Sequence, residues 1–148
     1  MLGQHQFGTS TIVSRTSLTS PTTDTVKAAL YLASATYNAS TTAYSATGEV
    51  SGTGYTAGGV TVTNATAPTS TNSSSTAGVG YWTPSASITY TTVTLTTAFD
   101  TVLIYNSTQS NKAISVHTFG SQTITAGTFT LTMPSNTTST ALIRLSTT

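Results

Sequence analysis

The chain has 148 residues, no cysteine and a formal net charge of +1; only 5% of it is Asp, Glu, Lys or Arg, against about 25% in an ordinary soluble domain. That length suits one domain with a modest core, and the missing cysteines exclude a disulfide framework and thiolate metal sites. Serine and threonine make up roughly two residues in five; Thr favours strands and Ser and Gly favour turns, so the composition leans to β structure.

Residues 1–23 lack periodicity and carry Gly3, Gly8 and Pro21. They read as an extended arm with a short strand possible at Thr11, Ile12 and Val13, and such an arm is either a loose terminus or a segment that docks on a neighbour. From residue 25 to 35, Val26, Ala28, Leu30 and Leu32 alternate around Lys27 and Tyr31. The alternation favours a strand, although Ala and Leu would also suit a short helix. Residues 37–49 read as a loop, followed by a glycine-rich connection over 48–59 and a clean strand at Val60-Thr61-Val62-Thr63. Residues 65–78 have the lowest complexity and read as a surface loop or hairpin tip.

Trp82, the single tryptophan, is expected to plug one end of the core. Ile88 and Tyr90 share a face, whereas Val93 and Leu95 fall in the opposite phase, so a bulge or turn is expected near Thr91-Thr92. Thr101-Val102-Leu103-Ile104-Tyr105 has the continuous apolar pattern of a strand buried on both faces. Turn chemistry fills 106–112. The next strand, 113–119, sets Ile114 and Val116 against Ala113, Ser115, His117 and Phe119. Ala126-Gly127 reads as a turn before a strand with Phe129, Leu131 and Met133 inward. The last strand, 141–146, places Leu142 and Arg144 on one face and Ile143 and Leu145 on the other. About seven short strands describe an all-β fold: an antiparallel sandwich or barrel over 24–148 with an extended N-terminal arm over 1–23. Ordered apolar runs and near-zero net charge argue against disorder of the whole chain and against a mucin-like stalk.

Groups able to do acid–base work are few. The acids are Asp24, Glu49 and Asp100, and the histidines are His5 and His117. Serine is so common that a Ser–His–Asp set could always be nominated, which removes its meaning. The acids are widely separated in sequence, so no metal site is expected. Gly52-x-Gly54-x-x-Ala57 matches a loose dinucleotide fingerprint, but that motif needs a following helix and a strand follows here. The glycines are better explained by positive φ in a tight connection. Arg15, Lys27, Lys112 and Arg144 stand alone, which gives no basic stripe for nucleic acid. Five of the six asparagines begin an N-x-Ser/Thr triplet, an effect of composition. The longest apolar runs are far below a membrane span, and no secretory signal pattern is visible at the N-terminus. The expectation is a non-enzymatic protein made in a reducing cytoplasm, with no cofactor, no nucleic acid and no membrane partner. A neutral, hydroxyl-rich surface suits coverage by neighbours better than free diffusion.

Several blocks together resemble a group of small bacteriophage structural proteins. They are Asp24-Thr25-Val26-Lys27-Ala28-Ala29-Leu30-Tyr31, then Gly48-Glu49-Val50-Ser51-Gly52-Thr53-Gly54-Tyr55-Thr56-Ala57-Gly58-Gly59-Val60, then Val102-Leu103-Ile104-Tyr105-Asn106. Asn111-Lys112-Ala113-Ile114, Phe119-Gly120 and Gly127-Thr128-Phe129-Thr130-Leu131 follow in the same order. The resemblance runs from about Asp24 to Leu145. It departs at Gly80-Tyr81, where the group commonly has an acidic pair, and at Ser121, where it has glycine. It implies a place in a virion and carries over no catalytic residues. The expectation it supports is a capsid decoration (cement) protein on the outer shell, with the major capsid protein as partner and self-association as a homotrimer or other symmetric oligomer. A head–tail connector or tail component, or a glycan-binding adhesion module using loop aromatics such as Trp82, are the alternatives. Candidate interface residues are Leu2, Phe7, Ile12 and Val13 in the arm and Tyr37, Tyr44, Tyr55 and Tyr81 in the domain, core packing being the competing role for each tyrosine.

Overall fold

A computed structural model describes residues 24–63, 68–71 and 78–146. The arm over 1–23, with Leu2, Phe7, Ile12 and Val13, lies outside the described residues, as does most of the 65–78 loop. The described chain is all-β. Its strands are β1 (Val26–Leu32), β2 (Val60–Thr61), β3 (Thr69–Ser70), β4 (Val79–Trp82), β5 (Ile88–Asn106), β6 (Lys112–Leu131) and β7 (Ile143–Ser146). They form two antiparallel sheets, a four-stranded one in the order β2-β1-β5-β6 and a three-stranded one in the order β3-β4-β7. The arrangement is an open sandwich.

The main core draws on both sheets. Val26, Ala28 and Leu30 of β1, Val102 and Ile104 of β5, and Trp82 of β4 are all buried in it, with Leu142 and Ile143 packed against it. Trp82 is 2% exposed and closes the core from the smaller sheet, in register with Ile143 of β7. A second cluster lies on the far face of the larger sheet, where Ala29, Tyr31, Leu103 and Tyr105 are covered by Ala35, Tyr37 and Tyr44. The continuous apolar run 101–105 is thus buried on both faces, as its pattern requires. Strand β1 is also buried on both faces, because Ala29 and Tyr31 supply a second apolar phase beside Val26, Ala28 and Leu30. The alternation read from sequence assigned only one face.

Three expected short strands merge into β5, and the expected 113–119 and 128–133 strands merge into β6. These two form a long hairpin, closed by a turn in which Asn106 Oδ1 accepts from the amides of Thr108 and Gln109 at 3.1 Å. Ser110 and Asn111 take positive φ there. The phase change near Thr91-Thr92 is a bulge: register shifts between Tyr90 and Val93, and Thr92 has φ 52°. Ala126-Gly127 is likewise a bulge inside β6 and not a turn, with Ala126 at φ 48° and Gly127 still paired with Val93. A further shift between Ile104 and Tyr105 separates two residues expected on one face. Ile114 joins the main core and Val116 packs on the far cluster. Each bulge adds a residue to one strand only, which reverses the in/out phase beyond it.

The glycine-rich connection crosses the sheet so closely that side chains do not fit. A Cβ on Gly59, which has φ +73°, would stand 1.6 Å from the Ala28 carbonyl oxygen, whereas a Cβ on Gly120 would meet nothing within 4 Å. Gly59→Ala should cost about 2–5 kcal/mol, from left-handed backbone strain plus overpacking. Gly120→Ala should stay within about 0.5 kcal/mol. Urea unfolding of the pair checks this, and equal losses would refute the close-approach account.

Candidate functional site

A dense polar cluster lies where the 48–62 segment runs along the side of β1 that faces away from β5. A strand edge exposes alternate N–H and C=O groups that need partners when buried. The segment supplies them in part as backbone: Leu32 N–H donates to the Gly48 carbonyl (2.9 Å), and Val50 N–H donates to the Leu30 carbonyl (3.0 Å). It then leaves the edge over 51–59 and returns at Val60 and Thr61 opposite Ala28 and Lys27. Tyrosine hydroxyls fill the gap. Tyr55 Oη accepts the Leu30 N–H at 3.0 Å, and Tyr90 Oη donates to the Ala28 carbonyl at 2.8 Å.

Glu49 is the hub that holds this arrangement. Its Oε1 accepts from the Tyr55 hydroxyl and from the Gly58 amide, both at 2.7 Å. Its Oε2 accepts from the Tyr44 hydroxyl at 2.7 Å. Tyr105 donates to the Gly58 carbonyl at 2.8 Å, and its ring stacks on Tyr44 with centroids 4.8 Å apart. Tyr31 and Tyr37 donate to backbone carbonyls of the covering loop, Tyr31 to Ser45 at 2.7 Å and Tyr37 to Thr47 at 2.9 Å. Burial, reinforced by the Glu49 carboxylate, pushes the Tyr55 and Tyr90 hydroxyls well above the ordinary phenol range. The cluster is a network of donors aimed at one carboxylate, with both carboxylate oxygens engaged. Chemically it is a clamp.

Of the sequence-derived candidates, Tyr44 and Tyr55 belong to this clamp and Tyr37 anchors the covering loop. Tyr81 stands apart, half-buried on β4 in register with Arg144 of β7. Sequence reasoning did not single out Glu49, Tyr31, Tyr90 or Tyr105. The one available signal was a lone acid between Tyr44 and Tyr55 within a glycine-rich stretch. His117 is half-buried on β6, its Nε2 3.0 Å from Ser115 Oγ, and burial lowers its pKa. Trp82 is enclosed in the core, so it cannot serve as the aromatic platform of the glycan-binding alternative. Among the described residues, no group of three or more His, Cys, Asp or Glu is placed to hold a metal ion. A groove of about 470 Å³ lies between loop residues Tyr37–Thr42 and the outer side of β6, with Val116 and Thr118 on its wall. No protein-family model, curated protein or solved structure matches the chain.

Removing the hub should strand several donors at once. Glu49→Ala is expected to cost about 3–5 kcal/mol, and Tyr55→Phe, which orphans the Leu30 amide, about 1–3 kcal/mol. Chemical denaturation checks both, and a loss below about 0.5 kcal/mol in each would remove the clamp from the stability account.

The pH profile follows from the two kinds of shift. Tyr55 and Tyr90 are raised above 10.0 in the fold, so their contribution is whole below pH 10 and falls as pH rises beyond it. His117 is lowered from 6.5, so the unfolded chain takes up the proton first and stability falls as pH drops below about 6.5. Denaturation across pH should show a plateau between these limits, with His117→Asn flattening the acid limb. An unchanged acid limb in that variant would rule His117 out as its source.

Proposed function

We propose that this chain is a non-enzymatic structural protein of a bacteriophage particle, of the capsid decoration or cement type. It sits on the outer shell, contacts the major capsid protein and stabilises the particle through many symmetric copies. The observation that carries the reading is the long β5–β6 hairpin, which presents exposed Thr118, Ser121, Thr123, Thr125, Thr128 and Thr130 and no Asp, Glu, Lys or Arg from Ala113 to Leu131. A surface of hydroxyls can be covered by a neighbour without burying unpaired charge, the costliest part of forming an interface. Support comes also from the Glu49 clamp, which commits the polar groups gathered by the fold to its own rigidity. The resemblance of the 48–60 block to phage structural proteins points the same way. Weak contacts repeated by symmetry add up to a strong bond with the shell.

Purified protein added to particles that lack it should bind and raise their melting temperature. Quantitative mass spectrometry of intact virions should count on the order of hundreds of copies for a shell protein, against about a dozen for a connector or tail component. Absence of binding to such particles would overturn the cement reading.

A further inference from the structure

The larger sheet has two edges, and the fold treats them differently. The β1 edge is closed by the 48–62 segment and its tyrosines. Among the described residues, the β6 edge is closed only at its start, where the Ala113 amide donates to the Thr42 carbonyl and the Tyr44 amide to the Asn111 carbonyl, both at 2.9 Å. Beyond that point residues 37–42 leave the strand and the groove opens.

Which backbone groups face out can be derived from the register. Leu30 and Ala28 turn their groups away from β5, towards Val50, Tyr55 and Tyr90. Their β5 partners Val102 and Ile104 therefore bond towards β6, because bonding direction alternates in an antiparallel ladder. The partners of these on β6, His117 and Ser115, bond back to β5. Val116 and Thr118 are left pointing their N–H and C=O groups outwards, in the same phase as Ala113. Natural edges are usually blunted by Lys, Pro, inward charge or β-bulges. Over Ser115–Thr118 the strand has no Lys or Pro and its register is regular.

We propose that this edge pairs with the same edge of a second copy of the chain, forming a two-fold dimer whose sheet continues across the interface. Val116 of one copy lies opposite Thr118 of the second copy and the reverse, each pair exchanging both N–H···O=C bonds. An edge paired antiparallel with itself is self-complementary. Head-to-tail pairing of β6 with β1 of the next copy is blocked, because the 48–62 segment and its tyrosines already occupy that side of β1. With net charge +1 and no Asp, Glu, Lys or Arg from Ala113 to Leu131, the two copies meet at Val116 and Thr118 without like-charge repulsion. The groove beside Val116 and Thr118 seats side chains of the added strand, as in other strand additions. The dimer specifies a surface for the self-association expected from the sequence, and it does not depend on capsid binding.

Sedimentation equilibrium on the full chain should show a concentration-dependent monomer–dimer equilibrium. Amide exchange at Val116 and Thr118 should slow as concentration rises, while that at His117 stays constant. Thr118→Pro removes an outward amide from an edge position that tolerates proline. It should weaken the dimer about 10- to 100-fold while leaving the monomer's circular dichroism unchanged. Thr118→Lys, which keeps the backbone intact, serves as the second blocking variant. A chain that stays monomeric at about 0.5 mM, far above the range of specific association, overturns the proposal. So does a dimer that both variants leave unchanged. Particle binding measured on the same variants separates the two ideas: a monomer that still binds shells sinks only the dimer, and a dimer that binds none sinks only the cement reading.

Discussion

The fold depends on how the edge of β1 is completed. A two-residue β2 cannot pair a seven-residue strand, and a buried amide or carbonyl without a partner costs about 1–3 kcal/mol. The hydroxyl of Tyr55 stands in for the missing backbone at Leu30, and that of Tyr90 adds a donor at the Ala28 carbonyl, where β2 ends its pairing. They hold that position because Glu49 fixes Tyr55 and the Gly58 amide together. Side chains thus finish a ladder that the backbone leaves open, and the 48–62 segment can cross the sheet without being a strand along its whole length.

That solution sets what surrounds it. Gly59 must be glycine because the returning chain passes over the Ala28 carbonyl, and Gly58 must present its amide to the carboxylate. Tyr44 reaches Glu49 from the loop over the far face, so the hub joins the edge to the second hydrophobic cluster. Strand β1 and the Thr101–Asn106 part of β5 are consequently buried on both sides although the protein is small. The smaller sheet, led by Trp82, covers one face, and a tyrosine-bearing loop covers the other. The hairpin of β5 and β6 extends from this block with its bulges, carrying hydroxyls outward and leaving one edge available.

Much of the architecture was legible in the residues. Thr101–Tyr105 showed two-faced burial by its unbroken apolar run, and Trp82 announced an enclosed aromatic. The phase jump between Tyr90 and Val93 marked a bulge or turn, and the structure has a bulge there. Each of these signals is local, spanning a few residues whose pattern follows directly from strand geometry. What was not legible was continuity and partnership. A bulge and a turn both use small or left-handed residues, so Ala126-Gly127 reads alike in either case, and only the paired strand distinguishes them. Ile114 and Val116 look like one face until a bulge between their neighbours puts them on opposite sides.

Residue-level patterns are enough for the class, which is hydroxyl-rich, cysteine-free, near-neutral and all-β, because propensity and alternation act residue by residue. Tertiary packing alone makes Glu49 the hub, brings five tyrosines from β1, β5 and two loops around it, and, among the described residues, closes one sheet edge while leaving the other open. Those facts rest on contacts between residues far apart in the chain, such as the 62-residue separation between Tyr90 and Ala28. No local pattern encodes such contacts, because the register that brings the residues together is set by the packing of the whole.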